Sequence, residues 1–320
     1  MTVKVALIPR LNADVQEICR SQLPSGFEIT VTDPGDGDDH FLDDISEVSF
    51  VIGFPRNLPA RFWPESGHLK LVQSLSVGTD DVDLDAAKRA GVPVAVNGGA
   101  NAISVAEHTI LLILALYRKL VPTVNRVNTG VWGDSRLGTE RYFEIFGKTV
   151  GLLGLGNIGR MVAERLAPFV PNLIYYDPFR LDRDRERQLN VEFVTFEEVL
   201  TRSDIVSLHL PLTEETHHLI GTRELALMKD SAVLINTARG PLVDEEALVN
   251  SLEAGDIAGA GLDVLSQEPA PADHPLLGRD DVVVTPHIAG PTWDSWPRRF
   301  ANGFANIVRV ENGEPPLWTA

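Results

Sequence analysis

Cysteine is almost absent from this chain: its 320 residues contain one, Cys19. A lone thiol closes no internal bridge, and without a second Cys or His at ligand spacing it makes no zinc site. Cys19 therefore reads as a small core residue, and no metal is expected. Cations are scarce too, with 28 Lys and Arg against 45 Asp and Glu, a net charge of −17. A field of that sign repels phosphodiester backbones and anionic lipid, and no basic block or arginine-aromatic stripe offsets it. Neither a nucleic acid nor a membrane is expected as a partner. Long apolar runs are also missing. The longest, residues 110–117, is far too short to span a bilayer, and Val3-Lys4-Val5-Ala6-Leu7-Ile8 starts directly as a strand without a charged leader, so the expected location is the cytoplasm.

What is present is a regular alternation of short β-type runs with helical segments. Runs at 3–8, 27–32, 48–53, 69–75 and 92–96 predict one parallel sheet; runs at 149–153, 173–176, 205–208, 232–235, 258–262 and 282–285 predict a second. The fold class is α/β with two doubly wound parallel-sheet domains. Residues 1–98 form the first and 99–290 the second, and the tail 291–320, with one helix, returns to the first domain and makes it discontinuous. The acidic stretch 33–39 reads as a solvated loop. Ser104 and Glu107 have capping-box spacing at the start of a long helix, apolar on nearly every side from 110 to 116, which predicts burial between domains or against another subunit.

The second domain opens on Gly154-Leu155-Gly156-Asn157-Ile158-Gly159, a G-x-G-x-x-G pattern between a strand and a helix. Each glycine removes a side chain that would obstruct the turn, the approach of a pyrophosphate, or helix–strand contact. A diphosphate would then sit on unpaired N–H groups at the positive end of the helix. Asp177 follows the next strand, about 20 residues on, where a carboxylate holds a ribose 2′-hydroxyl; this favours NAD, and Arg180 nearby leaves NADP as the less favoured alternative.

Three polar residues stand just beyond the carboxyl ends of the last three strands: Arg239, Glu268 and His287. In an open α/β sheet the ligand crevice lies outside those ends. An imidazolium can protonate a carbonyl oxygen as hydride arrives at its carbon, and an ionised carboxylate beside it stabilises the charged ring. A guanidinium grips a substrate carboxylate with two parallel hydrogen bonds. Taken singly, each has a plainer role, as a surface ion pair, a loop acid or a packed histidine. Phe54, Arg56 and Asn57 follow a first-domain strand and could reach substrate. Arg56 reads equally as a partner of a surface aspartate, and Trp132, Trp293 and Trp296 as core or as an apolar wall.

Across its whole length the chain resembles the D-isomer-specific 2-hydroxyacid dehydrogenase family. The likeness runs through Ser76-Val77-Gly78-Thr79-Asp80-Asp81-Val82-Asp83, Ser104-Val105-Ala106-Glu107-His108, Gly154 to Gly159, His209-Leu210-Pro211-Leu212-Thr213, Asn236 to Gly240 and Pro286-His287. The resemblance implies a Rossmann NAD-binding domain inserted into a flavodoxin-like substrate domain, hydride transfer between NAD(H) and a 2-oxo or 2-hydroxy acid, and a homodimer formed through the cofactor domain. It implies Arg239 as carboxylate anchor, helped by Asn101 and the N–H groups of Val77 and Gly78, and Glu268 with His287 as acid–base pair. It further implies Val105, Asn157, Ile158, Asp177, Leu210, Pro211, Thr216, Ala238, Asp263 and Gly290, with the three glycines, around the cofactor. Formate dehydrogenases are similar in 101–107 and 269–275 but carry glutamine where this chain has Glu268. An NAD-sensing binding protein without turnover is the remaining alternative.

Overall fold

Apolar, β-branched runs bounded by Gly, Pro and Asp become the strands of two parallel sheets in the computed structural model, which describes residues 2–132, 141–169 and 172–320. The first sheet contains Val3–Ile8 (β1), Phe27–Val31 (β2), Phe50–Gly53 (β3), Leu71–Ser74 (β4) and Val94–Ala95 (β5), ordered β2-β1-β3-β4-β5. The second contains Thr149–Leu153 (β6), Asn172–Tyr176 (β7), Val191–Phe193 (β8), Ile205–Leu208 (β9), Val233–Asn236 (β10), Gly259–Leu262 (β11) and Val282–Val284 (β12), ordered β12-β11-β10-β9-β6-β7-β8. These are the two doubly wound orders, flavodoxin-like and Rossmann, the latter with one added strand. β3, β4, β9, β10 and β11 are buried at every residue, as strands with helices on both faces must be.

The chain divides into two units, Met1–Asn101 with Pro291–Ala320, and Ala102–Gly290. In the first, the helix Ser295–Glu311 buries Phe300, Phe304 and Ile307, spaced for one helix face, in a cluster with Val5, Leu7, Phe50 and Ile52. Gly303 permits that approach, since a Cβ there would lie 2.7 Å from Ile52 Cδ1. Cys19 is in the same cluster, and burial pushes its thiol up to about 12 against the opposing pull of Arg20. The opposite face packs Phe41, Phe62 and Trp63.

Several local expectations are corrected. The helix over the second unit spans Ala102–Tyr117, so Ser104 lies inside it with its side chain buried instead of capping it. Burial of Ala102, Val105 and Ala106 outranks the local capping pattern. That helix sinks Leu112, Ile113 and Tyr117 into the core, while Ile103, Leu111 and Leu114 stay exposed in the single chain, which leaves the expectation of a second subunit against this face untouched. The acidic stretch is ordered: Asp33 caps the turn Pro34–Asp36, Arg10 pairs with Asp36, and Asp38 and Asp39 open the helix Asp38–Ser46, where negative charge suits the helix dipole. The strands are also shorter than the apolar runs that announce them, because flanking residues such as Val48, Leu69 and Val92 are buried without joining a ladder.

Candidate active site

The glycine loop leaves β6 with a separate reason for each glycine. Gly154 has φ +94°, and a Cβ there would meet the His209 carbonyl oxygen at 2.7 Å; a Cβ on Gly159 would lie 2.3 Å from the Gly154 oxygen. A Cβ on Gly156 would meet nothing within 4 Å. The first and third glycines thus serve the protein's own packing, whereas the second keeps clear a space in front of the helix Asn157–Leu166. That helix has no side-chain cap, which leaves the N–H groups of its first turn, at Asn157, Ile158 and Gly159, for an external acceptor. Asp177, beyond β7, fixes the loop by accepting from Leu155 N–H through Oδ2 and from Phe179 N–H through Oδ1, each at 2.8 Å. Arg180 is committed to Glu186, at 2.8 and 3.0 Å, and lies over the Phe193 ring. A dinucleotide diphosphate fits this donor set.

Because β6 and β9 are neighbours, the segment after β9 runs beside that loop, with His209 N–H donating to Leu153 O at 2.7 Å. Leu210 is buried there. Thr216 donates its hydroxyl to Pro211 O at 2.8 Å and accepts from Thr213 N–H, so it staples this turn. His209 keeps some exposure as a residue, but its Nδ1 is closed off from solvent without a partner, and burial holds the imidazole down to about 3, hence neutral.

Arg239 lies just past β10 in a turn stapled by Asn236, whose side chain accepts from Ala238 N–H at 3.0 Å and donates to Arg239 O at 2.8 Å. The Arg239 guanidinium donates to Ala238 O at 2.6 Å. Gly240 lets this turn touch the one after β11: a Cβ would come within 2.0 Å of the Leu265 carbonyl carbon. Glu268 stands in that second turn, its Oε1 accepting from Leu265 N–H at 3.1 Å and its Oε2 lying 2.7 Å from His287 Nδ1. Partial burial pushes the Glu268 carboxyl up, but the hydrogen bond and charge of His287, the Leu265 N–H and the charge of Arg239 outweigh it and hold the carboxyl below its usual range. His287 has φ +53°, left-handed for a residue with a side chain, and its Nε2 has no hydrogen-bond partner among the described residues.

Asp263, at the end of β11, holds the His287 turn. It is 1% exposed; Oδ1 accepts from the Thr285 hydroxyl at 2.6 Å and from Ile288 N–H at 2.9 Å, Oδ2 from Ala289 N–H at 2.9 Å, and its carbonyl from His287 N–H at 2.8 Å. His108, on the long helix, reaches Thr285 Oγ1 at 2.9 Å and lies 3.5 Å from Asp263 Oδ1. Sequence reasoning gave no role to His108, Thr285 or Asn236; all three stand inside or beside quoted motifs, but their contacts arise only on folding. Val105 is buried, and its carbonyl accepts from Thr109, which bonds Thr237 across to β10. Gly290, the last residue of the second unit, is buried.

The remaining residues, Trp132 apart, belong to the first unit. Val77 and Gly78 form the turn after β4, and their N–H groups meet no acceptor among the described residues. Asn101 Oδ1 is buried without a partner. Arg56 pairs with Asp81 at 2.9 Å, the surface-aspartate alternative. Trp296 packs on Phe54 and Phe300, while Trp132 and Trp293 are exposed.

Comparison with known proteins agrees with this architecture. The D-isomer specific 2-hydroxyacid dehydrogenase, NAD binding domain, family matches residues 110–289. A glyoxylate reductase of Thermofilum pendens is 44% identical over 78% of this chain and 74% of its own length. A mitochondrial formate dehydrogenase of Solanum tuberosum is 35% identical over 90% of this chain and 77% of its own. The crystal structure of a D-lactate dehydrogenase with NAD+ from Lactobacillus jensenii superposes with a TM-score of 0.84 at 27% identity, covering 99% of each chain. With a Rossmann sheet, an open glycine loop and this matched stretch in one chain, the protein is an NAD-dependent oxidoreductase that belongs to the D-isomer specific 2-hydroxyacid dehydrogenase family.

Proposed function

We propose that this protein reduces a small 2-oxo acid of the glyoxylate class to the corresponding 2-hydroxy acid with NADH, the D isomer wherever the new hydroxyl-bearing carbon is a stereocentre. The observation that carries the reading is the 2.7 Å contact between His287 Nδ1 and Glu268 Oε2 in a turn beside Arg239. Bound NADH supplies the hydride received by the carbonyl carbon. Arg239 binds the substrate carboxylate and sets which face of the carbonyl is presented; the family resemblance also implies the Val77 and Gly78 N–H groups as carboxylate donors. As negative charge grows on the carbonyl oxygen, His287 delivers a proton from Nε2, and Glu268 orients the ring through Nδ1 and stabilises its charged form. Proton donation of this kind is typically worth ~10² to 10⁴ in rate.

Asp177 supports a preference for NADH over NADPH, because its carboxylate would repel a 2′-phosphate and Arg180 is tied to Glu186. The apolar side chains left exposed on Ala102–Tyr117 and Leu120–Asn128, among them Leu111, Leu114, Leu120, Val121 and Val124, support a homodimer through the cofactor domain. No helix among the described residues is long and apolar enough to cross a membrane.

The test is NADH oxidation over a panel from glyoxylate and hydroxypyruvate to branched and aromatic 2-oxo acids, repeated with NADPH. Turnover of none of them removes the proposal. The likeness to formate dehydrogenases gives a second reading, checked in the same assay by NADH formation from formate; Glu268 argues against it, since formate oxidation has no hydroxyl proton to move.

A further inference from the structure

The C-terminal helix carries two arginines into the first unit, and neither pairs with a carboxylate among the described residues. Arg298 Nε donates to Ala100 O at 3.2 Å, and Arg299 Nη1 donates to Leu75 O at 2.6 Å. Arg299 is 3% exposed, its Nε has no acceptor, and its guanidinium lies 5.5 Å from the centroid of the Trp296 ring. Burial and the neighbouring Arg298 charge hold it down to about 10, so it remains a cation at neutral pH. A buried guanidinium without a counter-charge is costly, and the more conspicuous in a chain of net charge −17, where acids are plentiful.

Its one acceptor identifies what it does. Leu75 is the last residue before the turn Ser76-Val77-Gly78, which is closed by a Ser74–Ser76 hydroxyl contact and by Ser76 Oγ donating to Gly78 O, both at 2.8 Å. The Val77 and Gly78 N–H groups of this turn are open, and the cation sits behind its first carbonyl. Both features have the sign that receives an anion. We propose that Arg299 is a positioning residue for substrate: it anchors the Leu75 carbonyl so that Val77 and Gly78 present their N–H groups together, and its water-shielded charge favours a carboxylate on that turn. This inference rests on reading those N–H groups as donors to the substrate carboxylate.

At an effective dielectric near 20, a unit charge several ångströms from an anion is worth on the order of tenfold or more in affinity. The test is steady-state kinetics with NADH and glyoxylate on Arg299→Gln, which keeps a polar stem without charge, and Arg299→Lys, which keeps the charge. The glutamine variant is expected to raise the glyoxylate KM by about that factor, with kcat within about threefold, the NADH KM unchanged and a weaker salt dependence, and lysine to restore most of it. An unchanged glyoxylate KM overturns the proposal. So does an equal loss of kcat and melting temperature in both variants, which would leave only a packing role.

If the glutamine variant fails to fold, ¹⁵N-arginine-labelled wild-type protein is titrated with oxalate in the presence of NADH, with the Arg299 Nε signal assigned from the lysine variant. A shifted signal supports the proposal and an unmoved one overturns it. Val77→Pro, which removes one N–H, separates the two levels of argument. If it leaves the glyoxylate KM unaltered, the carboxylate reading itself fails; if it raises that KM while Arg299→Gln does not, only the role of Arg299 fails.

Discussion

Glu268 is held at both carboxylate oxygens, Oε1 by the Leu265 N–H and Oε2 by His287 Nδ1, so the carboxylate is fixed in one orientation against the ring. Its carboxyl lies below the ordinary range; the pairing is therefore intact above that range and is lost as pH falls through the depressed value. Glu268→Gln removes the charge that favours the protonated ring. The alkaline limb of the kcat/KM profile for reduction is expected to move to lower pH, with a loss of about 10- to 100-fold at neutral pH. Superimposable profiles for the two proteins would rule out the pairing as a catalytic device.

Arg239 offers a fork where lysine offers a point charge. Arg239→Lys is expected to lower kcat/KM for 2-oxo acids by roughly 10²-fold, because one of two parallel bonds and the planar orientation are lost. NADH affinity, measured by fluorescence titration, should stay where it was. Weaker NADH binding with unaltered substrate kinetics would move Arg239 out of the substrate site.

The glycines make opposite predictions. Gly159→Ala drives a Cβ into the Gly154 carbonyl and is expected to cost about 1–3 kcal/mol in urea unfolding. Gly156→Ala enters open space and should unfold like the parent while binding NADH at least about tenfold more weakly. Normal NADH binding by the Gly156 variant would show that the diphosphate lies elsewhere.

Asp177→Ser removes the charge opposed to a 2′-phosphate. The NADH-to-NADPH ratio of kcat/KM is expected to fall by about tenfold or more, chiefly through NADPH, although loss of the Leu155 N–H contact will also weaken NADH. A ratio that does not move would assign the preference to another residue.

Leu114→Asp combined with Val124→Asp places charges on the exposed apolar face of Ala102–Tyr117 and Leu120–Asn128. Sedimentation velocity should show a dimer in the parent and a lighter species in the variant. A monomeric parent would exclude this interface.

The parts of the fold legible in the sequence are those whose cause is local. The glycine loop could be read because the positive φ of Gly154 and its contact with Gly159 are local, although the His209 carbonyl that also demands a glycine at 154 comes from a distant strand end; the parallel sheets could be read because buried strands are continuous apolar runs. The start of the long helix was misread because Ser104 obeys a burial that its neighbours along the chain do not announce. Asp263 was legible as a strand-end acid but not as the residue that binds the His287 turn, and His108 meets Thr285 across 177 positions. No period or spacing encodes such a contact. Arg299 was passed over for the same reason: in sequence it is one of two adjacent arginines, and only its burial separates it from the other.

The carboxylate of Asp263 faces two backbone N–H groups and one hydroxyl proton, all converging as donors. This leaves the position without a close chemical substitute. Asparagine has the right shape but would aim its amide hydrogens at a backbone N–H, and glutamate has the right charge but one methylene too many for a side chain already sealed from water. The orientation of the imidazole on the adjoining turn is thus guarded by a residue whose carboxylate bonds that turn's N–H groups and the Thr285 hydroxyl.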